Sequence, residues 1–314
     1  MTAKQVAVIG AGTIGASWAA CFLARGLPVV ASDPAPDAEA FIRNYIETAW
    51  PTLVRLGLAP GASMARFCFQ RDPVNAVNAA DFVQESVPER MEVKVELFER
   101  LDRVLPPEVI LASSSSGLLI SDIAERCRHP ERCIIGHPFN PPHMIPLVEV
   151  VGGRHTSPAT IERALVFYRE IGKRPIHVRK EMRGHLVNRL QAALWREAIH
   201  LVAEGVASVA DVDAGIAYGP GLRWAIMGPH LTFHLAGGEG GMAHFMPHLG
   251  VPQARDWWPL LGNPELTPAI QKQIVEGVED EADGRTISEL AAERDRCLIA
   301  ILEALKTARE GVDT

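Results

Sequence analysis

The sequence predicts an α/β fold in which a mostly parallel sheet covered by helices is followed by an all-helical region. Two patterns carry this expectation. Through the first half, short runs rich in Val and Ile alternate with longer segments of helical period, as in sheets whose parallel strands are joined by crossover helices. Beyond Arg179 the strand-like runs stop and apolar residues recur only at helical spacing. The chain has 314 residues, which at roughly 150 residues per domain gives two domains. A composition of 47% hydrophobic and 22% charged residues is that of a globular protein and excludes fibrous and low-complexity classes.

In order, the expected strands are Gln5 to Gly10, Pro28 to Ser32, Phe67 to Gln70, Asp81 to Val87, Val109 to Ser113, Cys133 to Gly136 and Leu147 to Val151. Ser157 and Pro158 then open a helix as N-cap and first-turn proline, and a last strand lies near Pro175 to Arg179. From His185 a long helix is expected, with Leu186, Val187, Leu190, Ala193, Leu194, Ala198, Leu201 and Val202 on one stripe. Thr267 with Pro268 starts another helix, and Thr286 with Glu289 forms a capping box for the last. These readings divide the chain into domains 1–183 and 184–314. The acidic run Glu279 to Asp283 reads as a solvated loop.

Thirty-one Lys and Arg against 38 Asp and Glu leave a charge of −7, the wrong sign for a protein that grips a phosphate backbone. Nucleic acid is therefore not an expected partner. Five cysteines, none spaced as CxxC, suggest neither a disulfide framework nor a zinc ribbon. The apolar stretch from Gly10 to Ala24 is broken by glycines and falls short of the roughly 20 residues of a membrane span; it also lacks an export leader. A cytoplasmic chain, complete from its first residue and without a membrane partner, is expected.

The run Gly10-Ala11-Gly12-Thr13-Ile14-Gly15 follows the first strand and precedes a helix. In that context Gly10 allows a tight turn, Gly12 lets backbone approach a pyrophosphate, and Gly15 lets the helix pack closely on the strand. Free N–H groups at the helix start, over Thr13 and Ile14, attract the phosphates. Asp33 ends the second strand, where its carboxylate can bind ribose hydroxyls, and no Arg or Lys follows to receive a 2′-phosphate. A Rossmann-like domain with NAD as cofactor is expected.

Such sheets place their chemistry at the carboxyl ends of the strands. There stand Ser114-Ser115-Ser116-Gly117, then His137-Pro138-Phe139-Asn140, and Glu149 within the apolar run Leu147 to Val151. A carboxylate among valines is costly to bury without a partner, and His137 is the nearest candidate along the chain. A His held by a carboxylate has its tautomer fixed and suits removal of a hydroxyl proton as hydride leaves the same carbon. Spacing alone leaves open a serine run that serves only as turn chemistry and a His that merely ends a strand.

Three further segments, Gly136-His137-Pro138-Phe139-Asn140-Pro141, Pro146-Leu147-Val148-Glu149-Val150 and Leu186-Val187-Asn188-Arg189-Leu190, resemble the signature of the 3-hydroxyacyl-CoA dehydrogenase superfamily. The resemblance spans nearly the whole chain. It implies that His137 is the general base and Glu149 its orienting partner. Ser116 and Asn188 would hydrogen-bond the reacting oxygen, and Asn140 would shape the adjoining loop. Glu89 and Lys94 match a family segment near the nicotinamide. The resemblance also implies a homodimer formed through the helical domain.

The stretch from Gly219 to Gly228 departs from the Gly-Pro-Phe-Glu-Leu segment of members that act on long acyl-CoA. It resembles the branch that acts on short acids such as carnitine and gulonate, which implies oxidation of a 3-hydroxyl, with L-carnitine expected, and 3-hydroxybutyryl-CoA or gulonate as alternatives. Trp224, Phe233, Phe245, Trp257 and Trp258 could form a cation–π box for a trimethylammonium group, and Arg223 could bind a carboxylate. Packing aromatics in a core is the competing reading. His230 with His234, and His244 with His248, have a spacing seen in metal sites but no accompanying ligands, and no metal is expected. A purely structural, crystallin-like role is disfavoured by intact His137, Glu149 and Asp33.

Overall fold

The computed structural model describes residues 4–310; the extreme ends of both expected domains lie outside the described residues. Eight strands form one sheet: β1 (Val6–Ile9), β2 (Val29–Ser32), β3 (Phe67–Gln70), β4 (Phe82–Glu85), β5 (Ile110–Ser113), β6 (Cys133–Pro138), β7 (Leu147–Gly152) and β8 (Arg174–Val178). The spatial order is β3-β2-β1-β4-β5-β6-β7-β8, and all pairings are parallel except β6 with β7. The order reverses direction between β1 and β4, and a ligand crevice forms outside the carboxyl ends of the strands at such a switch point.

Helices α1 (Thr13–Ala24), α2 (Ala38–Leu56), α3 (Pro73–Val77), α4 (Met91–Asp102), α5 (Ile120–Ile123) and α6 (Pro158–Glu170) cover the sheet. Alternation along β1 shows how. Val6 and Val8 pack with Trp18, Phe22, Ile42 and Ile161, whereas Ala7 and Ile9 face Val77, Phe98, Leu101 and Ile120 on the other side. Successive side chains point to opposite faces, so a sheet covered on both sides needs apolar residues at nearly every position. That is why these strands read as continuous apolar runs. A chain of polar contacts crosses this core: Tyr168 Oη donates to Gln84 Oε1 (2.7 Å), and Gln84 Nε2 donates to the Gly136 carbonyl (3.1 Å) and to Ser114 Oγ (2.8 Å).

The remaining helices are α7 (Val187–Ala203), α8 (Val209–Tyr218), α9 (Pro220–Trp224), α10 (Pro229–Ala236), α11 (Gly241–Phe245), α12 (Val251–Asp256), α13 (Pro268–Ala282) and α14 (Ile287–Glu310). The chain divides into two compact units after Arg189, and among the described residues the second unit holds no strand. The expected caps form there and in α6. Ser157 Oγ accepts from Thr160 N and Thr267 Oγ1 from Ile270 N, while Thr286 and Glu289 exchange two hydrogen bonds at 2.8 and 3.2 Å.

Several expectations need correction. β6 runs on to Pro138, two residues past the expected Gly136, so His137 lies within the strand. The acidic run Glu279 to Asp283 is no loop: Glu279 to Ala282 are the last turn of α13 and Asp283 is its left-handed cap. The last strand begins one residue earlier, at Arg174. The long helix begins at Val187 rather than His185, because Gly184 (φ 74°) and His185 (φ 48°) both take left-handed backbone that ends helical continuity. Finally, the stripe on α7 is mostly exposed: Leu186, Leu190 and Leu194 are accessible and Val202 is buried.

Candidate active site

At the switch point, Gly10 (φ 100°) turns the chain away from β1, and a side chain there would sit 2.5 Å from the Ser86 carbonyl. A Cβ on Gly15 would overlap the Gly10 carbonyl at 1.8 Å, whereas one on Gly12 would meet nothing within 4 Å. Gly12 and Thr13 are exposed and Ile14 is half-buried at the start of α1, so the open end of the helix presents bare backbone. Asp33 Oδ2 accepts from Ala11 N (2.8 Å) and Oδ1 from Ala35 N (2.9 Å). The carboxylate is thereby fixed beside the glycine turn with lone pairs to spare. These residues fit NAD: an open amide-lined helix start for the pyrophosphate and a tethered acid for the ribose.

His137 on β6 and Glu149 on β7 are paired Cα to Cα across the antiparallel junction, which puts both side chains on one face of the sheet. His137 Nδ1 lies 2.8 Å from Glu149 Oε2. Glu149 is fully buried, and its other oxygen, Oε1, accepts from the backbone N–H groups of Leu186 (2.9 Å) and Val187 (3.0 Å) at the start of α7. Burial pushes its pKa up, but the bonds from His137 and from those two amides outweigh burial and hold it below the ordinary glutamate range. An ionised Glu149 makes His137 Nδ1 the donor. In neutral His137 the lone pair is then on Nε2, which carries no hydrogen bond among the described residues.

Glu89 and Lys94 support the neighbouring loop. Glu89 accepts from Ser115 Oγ (2.5 Å) and from the amides of Ser116 (3.0 Å) and Gly117 (3.1 Å). Burial raises its pKa, but these bonds and the Lys94 charge bring it below its usual value. Lys94 is buried and is committed to Glu85 (2.6 Å), to the Val87 carbonyl (3.2 Å) and to Glu89 (3.4 Å). Its ammonium is therefore spent inside the protein. Glu85, which the sequence reading did not single out, also accepts from Ser113 Oγ (2.5 Å); its position at the end of a buried strand was the available signal. Exposed Ser116 is tied at its carbonyl to Asn188 Nδ2 (3.3 Å).

His185 was also missed. It is buried and donates from Nε2 to the Ser115 carbonyl (2.8 Å), and its ring lies 5.3 Å from that of His137. The loop that carries exposed Asn140 runs on to His143, whose amide donates to Ser17 Oγ on α1 (2.9 Å). Lys173 holds the same loop through the carbonyls of Pro142 and Ile145.

Within the second unit, Phe233 and Phe245 stack with ring centroids 5.0 Å apart, and Phe245 is buried. Trp224, Trp257 and Trp258 are exposed and make no ring contact with that pair among the described residues. Arg223 is exposed on α9. His244 and His248 stack at 4.1 Å, His248 Nδ1 donates to the His244 carbonyl, and His234 Nδ1 accepts from Met242 N. His230 is exposed on α10; of the aromatic residues expected to form a box, only Phe233 and Phe245 are in ring contact with each other among the described residues. No group of three or more potential metal ligands is gathered among the described residues.

Comparison with known proteins decides the family. Residues 5–182 match the model of the 3-hydroxyacyl-CoA dehydrogenase NAD binding domain, and residues 184–265 match that of the 3-hydroxyacyl-CoA dehydrogenase C-terminal domain. The chain belongs to the 3-hydroxyacyl-CoA dehydrogenase family. It is an NAD-dependent oxidoreductase with a Rossmann-like first domain. An L-carnitine dehydrogenase of Streptomyces coelicolor is 52% identical to this family member over 301 residues, covering 96% of this chain and 94% of the relative. One from Pseudomonas syringae pv. syringae is 49% identical, covering 98% of each. Among solved structures, 5-formyl-3-hydroxy-2-methylpyridine 4-carboxylic acid 5-dehydrogenase, an NAD+-dependent dismutase, superposes with a TM-score of 0.84 at 32% identity, covering 98% of this chain and 99% of that one. No helix among the described residues of this dehydrogenase family member is long and apolar enough to cross a membrane.

Proposed function

We propose that the chain oxidises L-carnitine at its 3-hydroxyl to 3-dehydrocarnitine. The observation that carries this reading is near-complete alignment at about half identity with L-carnitine dehydrogenases, in a chain whose His137–Glu149 pair has the geometry of an oriented base. Bound NAD would supply the acceptor for the hydride leaving C3. His137 Nε2 takes the hydroxyl proton as the C–H bond breaks and the carbonyl forms, and ionised Glu149 stabilises the imidazolium produced. Ser116 and Asn188 hold the reacting oxygen, with Asn140 shaping the loop beside them. Gly10, Gly12, Thr13, Ile14, Gly15 and Asp33 bind the dinucleotide. Glu89 and Lys94 serve that site by fixing the loop 115–117 and the segment before α4.

Residues 1–183 form the NAD domain in this reading, and 184–314 the substrate and dimer domain. Arg223 takes the substrate carboxylate, and Trp224, Phe233 and Phe245 offer faces to the trimethylammonium. The second unit exposes Leu190, Trp195, Val206, Leu231, Leu235 and Val275 and buries few large side chains, so a homodimer that covers this apolar surface is proposed, in the cytoplasm.

The test is a panel of L-carnitine, gulonate, 3-hydroxybutyrate and 3-hydroxybutyryl-CoA, with NAD or NADP, followed by NADH or NADPH formation, and light scattering for the dimer. L-Carnitine should give the highest kcat/KM, by roughly 5- to 30-fold over 3-hydroxybutyrate, since losing cation–π contact forfeits about 1–2 kcal/mol. Arg223→Met should impair every carboxylate substrate. Efficient turnover of 3-hydroxybutyryl-CoA with carnitine untouched overturns the substrate assignment.

A further inference from the structure

His185 is 1% exposed and keeps left-handed backbone that side chains with a Cβ rarely adopt. Its Nε2 lies 2.8 Å from a carbonyl oxygen, that of Ser115. A carbonyl can only accept, so Nε2 carries the proton, and the neutral ring presents a bare lone pair at Nδ1. That atom is buried and has no hydrogen-bond partner among the described residues. Buried polar atoms are nearly always satisfied, and an exception in a native fold calls for a physical reason.

The reason is in the neighbourhood. The ring centroids of His185 and His137 are 5.3 Å apart, with planes tilted by 52°, a separation at which two imidazoles can share an N–H···N hydrogen bond of about 3 Å. His137 Nδ1 is occupied by Glu149, so its Nε2 is the nitrogen left to act. The residues after His185 are tied to the same site: Leu186 and Val187 bind Glu149, and Asn188 binds Ser116. The charged or titratable groups whose fields reach His185 are His137 on β6, Glu149 on β7 and Glu89 before α4. Burial first, and then the neighbouring His137, hold His185 below the ordinary histidine range, which keeps it neutral.

We propose that His185 is a positioning residue for the His137–Glu149 pair, its free Nδ1 accepting a hydrogen bond from the Nε2–H that His137 gains when it takes the substrate proton. The Nε2–H edge is thereby supplied with an acceptor as positive charge develops, while Glu149 serves the Nδ1–H edge. This rests on the proposed role of His137. A neutral acceptor beside the imidazolium favours its formation as the substrate proton is taken.

The test compares kcat/KM for L-carnitine oxidation against pH in wild type, His185→Phe and His185→Gln, with NAD affinity measured for each. Phe keeps an aromatic ring of similar size but has neither donor nor acceptor; the Gln amide keeps both. The wild type should show an acidic limb that reports His137. In His185→Phe that limb should move to lower pH by roughly half a unit to one unit, with NAD affinity retained, and in His185→Gln it should stay near the wild-type position. A limb that does not move in His185→Phe overturns the inference and leaves the His137 role standing. Identical displacement in both variants also overturns it, since packing rather than the acceptor would then be responsible. A wild-type profile with no acidic limb when hydride transfer limits the rate overturns both readings. Should His185→Phe not fold, an unmoved limb in His185→Leu or in His185→Ala, with wild-type NAD affinity, overturns the inference in the same way.

Discussion

Replacing Glu149 by Gln separates the two tasks that its carboxylate performs. The Gln carbonyl can still accept from the Leu186 and Val187 amides, now bonded at 2.9 and 3.0 Å. Facing His137, however, the amide N–H₂ presents a donor where Oε2 now lies 2.8 Å from Nδ1. His137 must then accept at Nδ1 and carry its proton on Nε2, the wrong tautomer for a base. Loss of a charge-assisted bond worth about 1.5–3 kcal/mol to the imidazolium alone predicts a fall of roughly 10- to 100-fold. Tautomer reversal adds to it, so kcat should drop by about 10²- to 10⁴-fold. At neutral pH the Gln variant should lose only the stability that the ionised carboxylate contributes. Glu149→Ala removes both tasks, and leaving the start of α7 uncapped should cost a further ~1–2 kcal/mol in unfolding. The assays are initial rates of NADH formation and urea unfolding of each variant. A Gln variant within tenfold of wild-type kcat, with chemistry rate-limiting, refutes the orienting role.

Asp33→Ala should weaken NAD binding by about tenfold or more, because hydrogen bonds to a charged group are worth ~1.5–3 kcal/mol, and should narrow the gap to NADP by removing a negative charge; titration of both cofactors checks this. Stability should fall with acid in two stages. His185 is depressed in the folded state, so its contribution is complete above its unfolded value, near pH 6.5, and is lost as pH falls toward the folded one. Glu149 and Glu89 are also depressed, so theirs is complete above about pH 4.5 and lost below. Melting temperature against pH should lose its upper slope in His185→Gln and part of its lower slope in Glu149→Gln.

The strands were legible because a sheet covered on both sides demands apolar runs, and the GxGxxG turn was legible because its glycines have no sterically possible replacements at Gly10 and Gly15. The antiparallel sense of β7 was not, since a β run carries no mark of direction. The signal lay in the connection 139–146, shorter than the dozen or so residues that a parallel crossover needs. His137 and Glu149 were legible as a pair, because an acid among valines needs a buried partner and His137 is the nearest polar residue at a strand end, and the resemblance supplied their roles. His185 was hidden because it sits where the helical spacing begins in the sequence; its left-handed backbone belongs to the turn before the helix, and periodicity cannot show that.

The same geometry explains why an acid is tolerated within β7 at all. A carboxylate at that depth needs more than one partner, and His137 satisfies only Oε2. The remaining oxygen is satisfied by the first free amides of α7, groups that a helix start leaves unpaired and that favour negative charge. Glu149 therefore stays ionised while buried because the chain turns at Gly184 and His185 and delivers those amides to it. The turn also carries His185 to the side of His137. Base orientation, charge retention and the left-handed turn are consequently one structural unit, and a change in the backbone at 184–187 should register in the rate of hydride transfer even though no side chain that touches substrate has been altered.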